Sequence, residues 1–115
     1  MPEQGDILLV PIPFTDLSSQ KRRPVIVISN NSYNKRTTDI VVVAMTSNPM
    51  DVEYSFTVTS DDLEKGKLNH PGKVRVDKIY TLSQAIVAKT FGRINEEVLE
   101  KIRKELQALT AKKAK

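Results

Sequence analysis

Arg22-Arg23-Pro24-Val25-Ile26-Val27-Ile28-Ser29 carries four β-branched residues in unbroken succession. Such side chains are stiff at χ1 and favour strands, and a run without polar alternation implies a strand buried on both faces. Ile40-Val41-Val42-Val43-Ala44-Met45 is a second run of the same kind. Between them, Asn30 to Arg36 is rich in turn formers and has room for one helical turn. Upstream, Asp6 to Pro13 supplies another apolar run, and its prolines cannot donate to a ladder, so the strand ends there or lies at an edge. Phe14 to Gln20 reads as a polar turn. Downstream, Glu53 to Thr59 alternates, with Tyr54, Phe56 and Val58 on the inner face of a half-buried strand. Ser60 to Gly66 reads as a single capped turn, with Ser60 as the acceptor and Gly66 as the stop. Lys73 to Leu82 and Ile86 to Ile94 are the last strands, Gly92 allowing a bend. The chain then turns helical: Asn95 caps, Glu96 and Glu97 suit the positive end, and Val98, Leu99, Ile102, Leu106 and Leu109 form one stripe for core packing. The pattern predicts a mainly β fold with short helices, a compact, strongly bent sheet or small barrel closed by a C-terminal helix.

A chain of 115 residues supports one hydrophobic core. A single domain is expected over residues 1–111, followed by a basic tail, residues 112–115, expected to be disordered. Apolar residues make up 39% and charged residues 28%, a globular balance. No apolar stretch approaches the roughly 20 residues needed to span a bilayer. The start of the sequence lacks the basic and apolar segments of a secretory signal, and there is no cysteine for a disulfide framework. A cytoplasmic location is the expectation. The formal charge of +4 permits a polyanionic partner, although the tail lysines contribute much of the excess.

The sole histidine, His70, precedes Pro71-Gly72 and reads as a loop residue. A two-histidine route to RNA cleavage is therefore absent, and no serine is placed beside His70 for a triad. Metal-ligand spacings and a phosphate-cradling glycine loop are absent too. Polar residues at strand ends remain. Arg23 abuts Pro24 and the apolar run, where it reads either as surface charge or as a rigid fork of donors for a phosphate. Thr46-Ser47-Asn48-Pro49 reads locally as turn chemistry. In Val74-Arg75-Val76-Asp77, side chains two apart share a face of the strand, so Arg75 and Asp77 lie side by side with Val74 and Val76 toward the core. That neighbourhood fits an exposed ion pair and a phosphodiester site equally well.

Taken in order, Gly5-Asp6-Ile7-Leu8-Leu9-Val10, Phe14-Thr15-Asp16-Leu17, Arg23-Pro24-Val25-Ile26-Val27-Ile28-Ser29, Met45-Thr46-Ser47, Val74-Arg75-Val76-Asp77-Lys78-Ile79 and Gly92-Arg93-Ile94 resemble the MazF/PemK family of toxin ribonucleases, over nearly the whole chain. The resemblance implies a small SH3-like β-barrel, a homodimer, and sequence-specific cleavage of single-stranded RNA without a metal or other cofactor. It also implies an antitoxin partner with an acidic, partly disordered segment. The expected catalytic residues are Arg23, Thr46, Arg75 and Asp77, with Ser47, Lys21, Arg22, Phe14 and Thr15 expected to contact RNA. Many relatives have serine where Gly72 stands, and some have glycine.

Without a metal, the 2′-hydroxyl beside the scissile phosphorus is the accessible nucleophile. Asp77 is then the candidate base, with Arg23 and Arg75 stabilising charge on the phosphoryl oxygens. DNA lacks that nucleophile and is not expected to be a substrate. The competing expectation is a non-catalytic nucleic-acid-binding or gyrase-binding barrel, since toxins that inhibit gyrase share the fold. The chain holds three Phe, three Tyr and no Trp, little material for a stacking platform, which counts against a pure single-strand binder.

Overall fold

The structure is a computed structural model, described here for residues 1–11 and 22–112. The apolar runs become the centre of one antiparallel sheet. In chain order the elements are β1 (Asp6–Val10), β2 (Arg23–Val27), α1 (Asn31–Arg36), β3 (Asp39–Thr46), β4 (Ser55–Val58), β5 (Leu63–Gly66), β6 (Gly72–Ser83), β7 (Lys89–Ile94) and α2 (Glu96–Thr110). Across the sheet the strands run β4-β6-β3-β2-β1-β7-β5. No helix among the described residues is long and apolar enough to cross a membrane.

Burial follows the run pattern. Val25, Ile26 and Val27 are fully buried, as are Val42 and Val43, and adjacent residues pack into different clusters. On one face, Ile7, Ile26, Val43, Met45, Val74 and Val76 meet Val98 and Ile102 of α2. On the other, Leu8, Val10, Val25, Val27, Ile40 and Val42 pack together beneath Tyr80 and Leu82. Each fully buried aliphatic side chain contributes about 1.5–3 kcal/mol, so the doubly covered central strands anchor the fold. Val58 of β4 and Leu63 of β5 join the helix-side cluster, although their strands lie at opposite ends of the sheet. The sheet must curl to bring them together, which makes it a half-barrel with α2 as its plug. The mainly β, small-barrel expectation holds.

Element ends follow local chemistry. β1 stops at Val10, before Pro11. The Asn95 side chain caps α2, accepting from the Val98 N–H at 2.9 Å. Asn30 does the same for α1, accepting from the Tyr33 N–H at 2.8 Å. Three expectations change. Ser60 to Gly66 is not a single turn: Ser60–Asp62 form one 3-10 turn, and Leu63–Gly66 become edge strand β5, paired with β7. The Ser60 hydroxyl does not cap it, because it accepts from the Leu68 N–H and donates to the Leu68 carbonyl, while Asp62 accepts from the Thr59 N–H. The last strand begins at Lys89 rather than Ile86, since Gln84–Ile86 form another 3-10 turn. The Gln84 amide pins that turn by donating to the carbonyls of Asn34, Thr37 and Asp39. Tyr54 precedes its strand, with φ of +59°, its carbonyl accepting from the Val76 N–H at 2.9 Å. The 112–115 tail lies outside the described residues beyond Lys112.

Two distant motifs turn out to be one clamp. Gly5 has φ of +92°, a conformation that L side chains rarely adopt, and there its N–H donates to Val27 while its carbonyl accepts from Ile94. The adjacent Asp6 is buried and accepts from Arg93 Nε at 2.8 Å. Arg93 also donates to Glu3 at 2.7 Å and pairs with Glu64 at 3.6 Å. The carboxylate's burial makes an unmatched Asp6 costly. Arg93→Ala is expected to destabilise the fold by about 2–4 kcal/mol in urea unfolding. A loss under about 1 kcal/mol would show that the clamp carries no stability.

Candidate active site

Arg23 begins β2 half-buried, opposite the fully buried Val10 of β1. It therefore rises on the sheet face away from α2. Thr46 ends β3 on the same face, two residues beyond Ala44, and Ala44 pairs with Arg75 of β6. Three neighbouring strands thus deliver Arg23, Thr46 and Arg75 to one cleft of about 160 Å³, completed among the described residues by Ala44, Asn48, Met50 and Lys78.

The Thr46 hydroxyl does the local turn chemistry and keeps a free function. It accepts from the Asn48 N–H at 3.1 Å, and Asn48 Oδ1 accepts from the Met50 N–H at 3.2 Å. Among the described residues no acceptor takes the hydroxyl proton, which can serve a phosphate oxygen.

Arg75 and Asp77 do lie side by side. Arg75 Nε and Nη2 donate to the two carboxylate oxygens at 2.9 and 2.8 Å, a bidentate fork. Side-chain exposure is 17% for Arg75 and 31% for Asp77, so solvent screens the pair only in part. The hydrogen bond from Arg75 holds the Asp77 carboxyl below its ordinary range, outweighing the opposing effect of burial, and the Arg75 charge adds to the lowering. The same bond to Asp77 raises Arg75 above its own ordinary value, which removes it further from any role as proton donor. Asp77 itself is not among the residues lining the cleft; it backs Arg75 through Nε and Nη2.

The other predicted residues are placed unevenly. Arg22 is exposed just before β2, and Ser47 is exposed beyond Thr46, lining a separate hollow. Phe14, Thr15 and Lys21 lie outside the described residues. His70 is an exposed loop residue. Among the described residues, no group of three or more His, Cys, Asp and Glu is arranged as a metal site.

Lys78, Asn48 and Met50 line the cleft without having been singled out. Asn48 and Met50 follow from the turn that Thr46 starts. Lys78 follows from a register break: Val43 pairs with Ile79, yet the next residue, Ala44, pairs with Arg75. Parity in an unbroken strand would put Lys78, three residues on, opposite Arg75. The inserted residues reverse the parity and bring both cations to one face.

The pair has a measurable signature. A depressed carboxyl contributes stability that is complete above the ordinary value near ~3.9 and is lost as pH falls through the lower, folded value. A carboxyl carbon NMR titration should place Asp77 below that ordinary value, and Arg75→Gln should return it toward ~3.9. An unchanged midpoint in the variant would disprove the coupling.

The family model of PemK-like, MazF-like toxins of type II toxin–antitoxin systems matches residues 3–110. No curated protein matches the sequence. Among solved structures, an endoribonuclease in complex with its cognate antitoxin from a mycobacterial species is similar, with a TM-score of 0.78 at 22% identity, covering 99% of this chain and 100% of that one. MazF from Deinococcus radiodurans superposes with a TM-score of 0.75 at 23% identity over 94% of each chain. A MazE–MazF structure from the same organism gives 0.74 at 20% over 97% of each. The likeness covers strands, half-barrel and terminal helix together. By the match along almost its whole length, the chain belongs to the PemK-like, MazF-like toxin family of type II toxin–antitoxin systems.

Proposed function

We propose that this protein is the toxin of a toxin–antitoxin pair and acts as a metal-independent, sequence-specific endoribonuclease on single-stranded RNA. The observation that carries the reading is the convergence of Arg23, Thr46 and Arg75 on one cleft, with Asp77 locked to Arg75. Guanidinium groups on the two strands that flank β3 form a pair of charges suited to a phosphodiester. Membership of the family supports the same chemistry.

In the proposed step, the RNA 2′-oxygen attacks the adjacent phosphorus and the bond from phosphorus to the 5′ oxygen breaks. The 2′-hydroxyl proton passes to Asp77. Arg23 and Arg75 stabilise the charge gathering on the non-bridging oxygens, and Thr46 donates its free proton to orient one of them. The leaving 5′ oxygen takes a proton from water and Asp77 later returns its proton to solvent, so the products are a 2′,3′-cyclic phosphate and a 5′-hydroxyl end. While forked to Arg75, Asp77 is ionised and ready to accept but is a weak base. A phosphate that draws Arg75 toward itself loosens the fork and strengthens the base where it is needed.

The mycobacterial endoribonuclease is held by its cognate antitoxin, and the Deinococcus radiodurans toxin was solved with MazE. Those complexes support an antitoxin as partner here, its acidic segment complementary to the cationic cleft. A homodimer in the cytoplasm, its substrate mRNA, completes the reading.

Purified protein should cut a mixed-sequence single-stranded RNA in excess chelator and leave cyclic phosphate ends. A 2′-deoxy substitution at the cut site should abolish cleavage. Asp77→Asn should lower the single-turnover rate by about 10²-fold or more. Loss of activity on chelation, or cleavage of the deoxy substrate, would refute the mechanism. Full activity of Asp77→Asn would remove Asp77 from the base role.

A further inference from the structure

Across the end of β3 from the arginine cleft lies a second hollow, of about 170 Å³. Leu9, Pro24, Met45 and Phe91 wall it, and Ser47, Asn69 and His70 stand among its remaining lining residues. Thr46 lines both hollows. Met45 packs in the helix-side cluster whereas its neighbour Ala44 faces Arg75, so the two hollows open on opposite sides of the β3 terminus. Thr46 is the ridge between them.

We propose that this second hollow is a nucleobase subsite that sets sequence preference at a position next to the scissile phosphate. The proposal rests on the ribonuclease reading and deepens it. Among the described residues, the imidazole of His70 is the one acidic or basic side chain lining the hollow, so the hollow suits a ring better than a second phosphate. Pro24 and Phe91 offer flat surfaces on which a base can stack. The Asn69 amide presents both a donor and an acceptor, and the Ser47 hydroxyl presents both as well, the equipment needed to read a base edge. Continuity selects the occupant. Because Thr46 lines both hollows, a nucleoside attached to a phosphate at Thr46 starts beside the second, whereas a protein side chain has no such tether.

Gly72 is what keeps the hollow in its present shape. A Cβ there would lie 2.8 Å from Met45 Sδ and 3.0 Å from its Cγ, so any side chain displaces the methionine that forms the wall. The shape of the subsite in this chain therefore depends on Gly72.

Cleavage of a randomised single-stranded RNA pool, followed by sequencing of the ends, tests the assignment. The wild-type chain should show a base preference at a position flanking the cut. Asn69→Ala and Gly72→Ala should each relax that preference by about tenfold while the other positions keep theirs, since losing a pair of edge contacts changes discrimination by that order. An abasic nucleotide at the same position should slow wild-type cleavage by at least a similar factor and slow the variants less. Asn69 is in an exposed loop, so its variant remains informative if Gly72→Ala does not fold. Cleavage by both variants with every preference intact overturns the subsite and leaves the ribonuclease reading standing. Absence of any wild-type cleavage overturns the ribonuclease reading, and the subsite with it.

Discussion

β3 pairs with β6 along its whole length, but one residue step on β3, from Val43 to Ala44, spans four on β6, from Ile79 to Arg75. Val76, Asp77 and Lys78 are the surplus. Before the break β6 is flanked by both β4 and β3, and Val74 and Val76 point into the helix-side cluster. After it, Tyr80 and Leu82 cover the opposite cluster. The same strand can therefore close two cores on two faces, which a regular strand cannot do without exposing one set of apolar residues. The break is also where the cleft is made, because it sets Arg75 and Lys78 on one side with Asp77 between them. Curvature, core and candidate chemistry share one irregularity.

The fold holds two arginine–carboxylate systems that differ in what they leave over. Arg93 meets Asp6, Glu3 and Glu64, and one of these is buried, so its donors are largely consumed in joining the N-terminal segment to β7 and β5. That is a structural use of charge. Arg75 meets one carboxylate, near solvent, beside two further cations, Arg23 and Lys78. Among the described residues, three cationic side chains line the cleft and one carboxylate backs Arg75, an arrangement suited to an added anion. Placement of the same two residue types separates a clamp from a site.

Much of this was legible in sequence, for physical reasons that vary by element. The central strands were, because Val25 to Ile28 and Ile40 to Val43 can be buried on both faces only in a covered sheet. Helix α2 was, from Asn95 and a stripe at helical spacing. Strand β5 was not: Leu63-Glu64-Lys65-Gly66 has no alternation, and its pairing with β7 is dictated by the curl of the whole sheet. The Arg75–Asp77 contact followed from the two-residue strand period. Arg23 and Thr46 were joined to it by resemblance alone, and the geometry now places them beside Arg75. Lys78 could not be read, since strand parity assigns it to the wrong face until the register break is known. The constraint at Gly72 was equally hidden, because it depends on Met45, far away in sequence.

The central claim is that arginines from two separate strands act on a single phosphate. A double-mutant cycle on the single-turnover rate of RNA cleavage, using Arg23→Gln, Arg75→Gln and the pair together, tests it most directly. If both stabilise the same transition state, each single change should cost about 10²-fold or more, and the double variant should lose much less than the product of the two. Losses that multiply, or a single variant that cuts at the full rate, would contradict a shared site.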